Sequence, residues 1–160
     1  MQNEKGKNVF LPIFNNIYKM RIVIASDHAG FELKEQIKKQ FSDKFEFEDL
    51  GTHSNESVDY PDFAHPLAQK IAQDSSLFGV LICGTGNGMI MTANKHSNVR
   101  AGLCWSPEIA ALARQHNNAN ILVMPARFIS TETAFSIFNT FFTTSFEGGR
   151  HQRRVEKINL

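Results

Sequence analysis

The feature that most constrains the fold is an alternation of short apolar runs with helical patterns, which continues from residue 21 onward. Five short runs, several of them rich in β-branched residues, indicate strands at 21–26, 45–48, 79–83, 99–103 and 119–124. Between them, apolar residues recur about one helical turn apart among charged ones, as Leu33, Ile37 and Phe41 do. Strands that alternate with helices form right-handed βαβ units. The sequence therefore predicts one α/β domain over residues 20–160, a Rossmann- or flavodoxin-like three-layer sandwich around a doubly wound, five-stranded parallel sheet.

Two helix starts are marked by their capping residues. Ser106 precedes Pro107 and Glu108, and Ser130 is placed to cap a long helix that extends to about residue 146. Four phenylalanines lie along one side of that second helix: Phe135, Phe138, Phe142 and Phe146. This stripe predicts a core-facing surface, and burial of part of it against a second subunit is the alternative.

Composition excludes several classes of function. The chain has 160 residues, a formal net charge of +1 and no long apolar segment, so we expect neither a nucleic-acid partner nor a membrane one. Its two cysteines, Cys83 and Cys104, are too few for a disulfide framework, which favours a reducing, cytoplasmic location.

Residues 1–19 are predicted to lie outside the fold as an N-terminal extension. Lys5 and Lys7 precede an apolar run that loosely imitates a signal peptide, but Pro12 interrupts the run after three residues. No small-residue cleavage site follows, so we do not expect a secretion signal.

Reactive side chains follow two of the predicted strands. Asp27 and His28 come directly after the first strand, where an acid beside an imidazole fits catalytic proton transfer or the binding of a sugar hydroxyl. An ordinary helix cap is the alternative for Asp27. Cys83 ends the third strand and is followed by the glycine-rich segment 84–88. Amides of such a loop form a nest for an anion and are expected to lower the pKa of the preceding thiol. A base and an oxyanion cradle on one loop suit the removal of a proton next to a carbonyl.

Two further sets of residues have a functional and a structural interpretation. Ile109, Leu112, Ala113 and His116 share one face of the fourth helix, which fits a core histidine as well as a catalytic one. In the tail, Arg150 and Arg154 lie one turn apart if a helix begins near Gly149. Two guanidinium groups on one face would clamp a phosphate, and a solvated basic tail is the alternative.

Five segments together closely resemble the type B ribose-5-phosphate isomerase family, which includes the galactose-6-phosphate isomerase subunits. They are residues 25–31, 59–61, 83–88, 114–117 and 148–154, and the resemblance extends from residue 20 to about residue 160.

The resemblance implies an aldose–ketose isomerase that acts on ribose 5-phosphate through a cis-enediolate, with no metal or organic cofactor. By that resemblance Cys83 is the base, Thr85 assists it, and the amides of Gly84, Gly86 and Gly88, with those of Thr85 and Asn87, hold the enediolate. His116 would open the sugar ring, and Asp27 and His28 would contact the sugar. The remaining substrate and phosphate contacts would be Asn117, Arg127, Arg150 and Arg154. The resemblance further implies a homodimer, or a dimer of dimers, whose subunits share active sites.

Two alternatives stay open from the sequence. Ser57 and Met91 depart from the family pattern, so the substrate is alternatively a six-carbon sugar phosphate, such as allose or galactose 6-phosphate. A non-catalytic sensor of sugar phosphates is the other alternative, although a sensor has no need of an activated thiol.

Overall fold

The computed structural model describes residues 18–159, which fold into one five-stranded parallel sheet with helices on both faces. The strands are β1 (Met20–Ser26), β2 (Phe45–Asp49), β3 (Phe78–Cys83), β4 (Ala101–Leu103) and β5 (Ile121–Pro125). The helices are α1 (Phe31–Phe41), α2 (Pro61–Gln73), α3 (Asn87–Ala93), α4 (Pro107–Asn117), α5 (Thr131–Thr143) and α6 (Arg150–Glu156). The predicted fold class is confirmed.

The strand order places a crevice between β1 and β3. The order is β2-β1-β3-β5-β4, with every neighbouring pair parallel. The chain leaves β1 toward one edge and returns through β3 toward the other, so the switch point lies between these two strands. Ligands of doubly wound sheets bind outside the carboxyl ends of the strands at such a point. Because β5 lies between β3 and β4, the edge strand on this side of the sheet is β4.

The core lies on both faces of the sheet because successive strand residues point to opposite sides. Ile22 and Ile24 pack under α1, α4 and α5, whereas Val23 and Ala25 pack under α2 and α3. Burial of each large aliphatic side chain contributes roughly 1.5–3 kcal/mol. Strands covered on both faces need a continuous apolar run, which is why their sequences do not alternate.

The phenylalanine stripe packs as core, but its helix is shorter than predicted. Phe138 is fully buried, and Phe135 and Phe142 pack against the same cluster. Helix α5 ends at Thr143 because the Thr143 and Thr144 hydroxyls bond back to carbonyls of the preceding turn. Phe146 therefore lies beyond the helix.

Helix α4 begins as predicted but buries a different face. The Ser106 side chain caps it by accepting the amide of Ile109. Its buried residues are Ala110, Ala113 and Arg114, whereas Leu112 is 43% exposed. The predicted apolar stripe through Leu112 and His116 is thus wrong, because long aliphatic parts of Arg114 take the place of the expected leucine.

The predicted N-terminal extension, residues 1–19, lies outside the described residues apart from its last two. Among residues 18–159 no helix is long and apolar enough to cross a bilayer.

Candidate active site

Asp27 and His28 lie at the carboxyl end of β1, beside the end of β3. The Asp27 amide donates to the carbonyl of Ile82 at 3.2 Å, which ties the two strand ends together. The Asp27 carboxylate is buried and accepts the Gly30 amide at 3.0 Å, so it also caps the turn that leads into α1. His28 Nδ1 accepts the amide of Val58 at 3.3 Å. A neutral imidazole held this way has its Nε2–H free to donate to a hydroxyl.

The glycine loop wraps around the sulfur of Cys83. The amide of Gly86 donates to Cys83 Sγ at 3.1 Å, and the amide of Asn87 donates to Thr85 Oγ1 at 3.2 Å. Gly86 has φ +81°, and a Cβ there would collide with Leu103. Only glycine allows the loop to turn so tightly that its amides face the sulfur.

Burial, rather than the loop amides, dominates the ionisation of Cys83. The side chain is 4% exposed and packs with the core under α2 and α3. Loss of hydration raises the pKa of the thiol, the amides of Met89, Gly86 and Thr85 lower it less, and the negative charge of Asp27 raises it further. The predicted lowering of this pKa is therefore wrong for the single chain, although the amide donors that motivated it are present.

Arg127 and Tyr60 flank the glycine loop. The Arg127 amide donates to the carbonyl of Gly84 at 3.1 Å, and its guanidinium approaches the same glycine closely enough that a Cβ there would lie 3.3 Å from Nη1. The ring of Tyr60 lies over Gly88, where a Cβ would come within 2.6 Å of it. Sequence reasoning used the Asp59-Tyr60-Pro61 segment for the resemblance but did not assign Tyr60 to the site.

The amino ends of the strands, opposite the end that holds Cys83, carry a second group of predicted site residues: His116, Asn117, Arg150 and Arg154. Helix α4 starts after the carboxyl end of β4 and returns the chain to the amino end of β5. Its eleven residues span about 15 Å, so His116 and Asn117 are carried away from Cys83. Helix α6 packs against α4, as the stacked rings of His116 and His151 show, with centroids 4.2 Å apart. The structure thus brings the predicted site residues into two groups within one chain.

The second group includes two residues that were not predicted as site residues. Glu147 Oε2 lies 3.9 Å from His116 Nε2 and 3.7 Å from His151 Nε2. Desolvation and the neighbouring charge of His116 lower the pKa of His151. These three side chains are the one cluster of potential metal ligands among residues 18–159. The imidazole planes are within 10° of parallel, so their lone pairs do not converge on a common point about 2 Å from both nitrogens, as zinc requires.

Known proteins with similar sequences and structures identify the family of the chain. Residues 22–158 match the family model described as Ribose/Galactose Isomerase. Ribose-5-phosphate isomerase B of Escherichia coli is 41% identical over 86% of this chain and 93% of its own length.

Two solved structures are also similar. A ribose 5-phosphate isomerase from Thermotoga maritima has 55% identity and a TM-score of 0.85, covering 88% of this chain and 97% of its own. Ribose-5-phosphate isomerase B from Mycoplasma genitalium, solved with bound ribulose-5-phosphate, has 46% identity and a TM-score of 0.84, covering 86% and 93%. The chain therefore belongs to the ribose/galactose isomerase family.

Proposed function

We propose that this isomerase interconverts ribose 5-phosphate and ribulose 5-phosphate through a cis-enediolate, with Cys83 as the base and without a metal ion. The observation that carries the proposal is the contact between Cys83 Sγ and the Gly86 amide at the switch point of the sheet. A sulfur base and a set of inward amides within one turn provide both halves of an enolisation. The M. genitalium relative, whose structure contains ribulose-5-phosphate, supports the choice of substrate.

Cys83 moves a proton from C2 to C1, and a second proton moves from O2 to O1. The Cys83 thiolate takes the proton from C2 of the open-chain aldose, the C2–H electron pair becomes the C1=C2 bond, and the carbonyl electrons move onto O1. A proton then passes from O2 to O1 with help from the Thr85 hydroxyl, which lies on the same loop and accepts the amide of Asn87. The charge on O2 re-forms a carbonyl at C2, and the thiol returns its proton to C1, which gives the ketose.

The loop amides stabilise the charge that develops on the substrate oxygens. Removal of one oxyanion donor costs about 10²–10³ in rate in well-studied enzymes. Gly84, Gly86 and Gly88 allow the backbone to approach because a side chain at any of them would meet Arg127, Leu103 or Tyr60. Asn87, the first residue of α3, and Asp27 with His28 across the crevice complete the sugar contacts of the proposal.

The remaining roles require a second subunit. In the proposal His116 protonates the ring oxygen to open the furanose, Asn117 binds the sugar, and Arg150 and Arg154 bind the phosphate together with Arg127. Four of these five residues lie at the amino side of the sheet in their own chain. We therefore propose a homodimer in which this group reaches the Cys83 side of the partner. Exposed Trp105 and Met91, 55% and 67% accessible in the single chain, are apolar residues available for burial between subunits.

The decisive assay is isomerisation of ribose 5-phosphate by the parent chain and by Cys83→Ala. Loss of a general base lowers kcat by roughly 10²–10⁴-fold, whereas Cys104→Ala, which removes the other buried thiol, is the matched control and keeps activity. Near-full activity of Cys83→Ala would refute the base assignment. Activity that disappears with a chelator and returns with a divalent ion would refute metal independence.

The family description also names galactose, so a six-carbon sugar phosphate is the second candidate. The ratio of kcat/KM for ribose 5-phosphate to that for allose or galactose 6-phosphate decides between them. Exchange of solvent deuterium into ribulose 5-phosphate separates either enzyme from a non-catalytic sensor. Both cysteines are unpaired, which supports a reducing location such as the cytoplasm.

A further inference from the structure

We propose that the amino side of the sheet holds a second anion site, separate from Cys83, in which Arg100 and Arg114 bind a small phosphate ester. A cavity of about 400 Å³ opens there. Its polar lining consists of Gln73, Ser75, Asn98, Arg100, Arg114, Asn118 and Asn120. The proposal does not depend on the isomerase reaction.

Arg100 keeps most of its hydrogen-bonding capacity for a ligand. Its Nε donates to the carbonyl of Asn118 at 2.8 Å, which fixes the plane of the guanidinium. Among residues 18–159, no acceptor bonds to its two terminal amino groups. A planar fork with one edge anchored and the other open matches two phosphate oxygens.

Arg114 is the buried, rigid wall of the same cavity. Its Nη1 donates to Asn118 Oδ1 at 3.2 Å and to the carbonyl of Ala119, while Nε donates to the carbonyl of Thr144 at 3.3 Å. The guanidinium also lies 5.0 Å from the ring centroid of Phe78. Its carbonyl and aromatic partners hold the cation in place but leave its charge uncompensated.

The charge of the two arginines has no internal counterion in the described part of the chain. The ion pairs found among residues 18–159 involve neither Arg100 nor Arg114. Burial lowers the pKa of both groups, and the positive charge of Arg100 lowers the pKa of Arg114 further. Two neighbouring cations that have lost hydration favour a bound anion, because the anion offsets both their desolvation and their repulsion.

The cavity is distant from the catalytic thiol of its own chain. Phe78 lines the cavity and begins β3, whereas Cys83 ends the same strand, which places them about 16 Å apart. Asn118 directly follows the α4 residues His116 and Asn117. An occupant would therefore bind next to the C-terminal end of α4 without touching the glycine loop of its own chain.

The test measures binding of inorganic phosphate and of glycerol 3-phosphate by calorimetry in an Arg150→Ala/Arg154→Ala chain, which lacks two of the three proposed catalytic phosphate contacts and keeps only Arg127. We expect this chain to bind the ester still, and Arg100→Gln in the same background to weaken binding at least about 10-fold, as loss of a charged hydrogen bond does. Binding of both ligands indicates recognition of the phosphate group alone. Binding of the ester only indicates that the cavity also contacts its organic part.

A second variant tests the same cavity without changing an arginine, in case Arg100→Gln misfolds. Ser75 is exposed at the rim, so Ser75→Glu adds a carboxylate beside the arginines without disturbing the core and is expected to abolish binding. Ser136→Glu, on the exposed face of α5, is the matched control with the same charge change. The proposal is overturned if the Arg150→Ala/Arg154→Ala chain binds neither ligand, or if Ser75→Glu and Ser136→Glu bind equally well.

Discussion

Replacement of Gly86 by alanine tests the geometry around the sulfur, because the cost separates into parts that the structure defines. Gly86 has φ +81°, and Gly148 has φ +66°. Because an L-residue disfavours a positive φ, alanine at either position is expected to lower the free energy of unfolding by about 1–2 kcal/mol. A Cβ at Gly86 would also collide with Leu103, whereas a Cβ at Gly148 would meet nothing within 4 Å. Overpacking of this kind adds about 1–3 kcal/mol.

We therefore expect Gly86→Ala to lose about 2–5 kcal/mol in free energy of unfolding and Gly148→Ala only about 1–2 kcal/mol, measured by urea denaturation. The same substitution at Gly86 also moves the amide that donates to Cys83 Sγ. Loss of a hydrogen bond to a charged group costs about 1.5–3 kcal/mol, so kcat/KM falls by about 10- to 150-fold. Equal stability of the two variants, together with parental kcat/KM in Gly86→Ala, would refute the described loop geometry.

Three other predictions concern buried ionisable groups. Burial raises the pKa of Cys83, and the thiolate is the proposed reactive form, so we expect kcat/KM to rise with pH from neutral into the alkaline range. A flat pH profile between pH 6 and 9 would contradict the assignment of Cys83 as the base. Burial raises the pKa of Cys104 from 9.0 to about 12, so the unfolded chain loses the thiol proton at a lower pH than the folded chain does. The free energy of unfolding therefore falls by about 4 kcal/mol as the pH rises from 9 to about 12. Denaturation of Cys104→Ala is expected to lack this fall, and the same pH dependence in both chains would contradict the prediction. Lys34 is fully buried, and its Nζ lies 2.6 Å from Asp49 Oδ1. Lys34→Met is therefore expected to lose about 3–5 kcal/mol in free energy of unfolding, measured by urea denaturation, because it leaves the carboxylate of Asp49 without its buried partner. Lys39→Met, at an exposed position of the same helix, is the control and is expected to lose little; equal losses in the two variants would contradict the prediction.

The fold was predictable because local patterns and chain connectivity agree. Ser106 and Ser130 cap the helices that the sequence predicts, and the apolar runs of β1, β3 and β5 are covered on both faces. The predicted end of α5 is wrong because hydrophobic periodicity does not include side-chain bonds to the backbone. The end of α5 is set by hydroxyls of Thr143 and Thr144 that bond to their own helix, and periodicity alone favours continuation to Phe146.

The sequence identifies candidate site residues, but it does not predict how they are arranged. The order of residues shows that Cys83 precedes a glycine loop, but it does not reveal that the thiol lies at 4% exposure, where desolvation outweighs the amides. Likewise, His116 is five positions from β5 in sequence, and only the course of α4 places it at the amino side of the sheet. Stacking on His151 could not be deduced from α4, because the partner comes from a helix that begins 33 residues after α4 ends.

In the proposed dimer, each active site uses Cys83 from one subunit and His116 from the other. Cys83→Ala and His116→Ala chains are mixed in equal amounts, unfolded and refolded together, and assayed for isomerisation of ribose 5-phosphate. Random pairing makes half of the dimers mixed, and each mixed dimer has one intact site and one doubly defective site, so about one quarter of the parental activity is expected. Activity no greater than the mean of the two refolded parent variants would contradict a shared site.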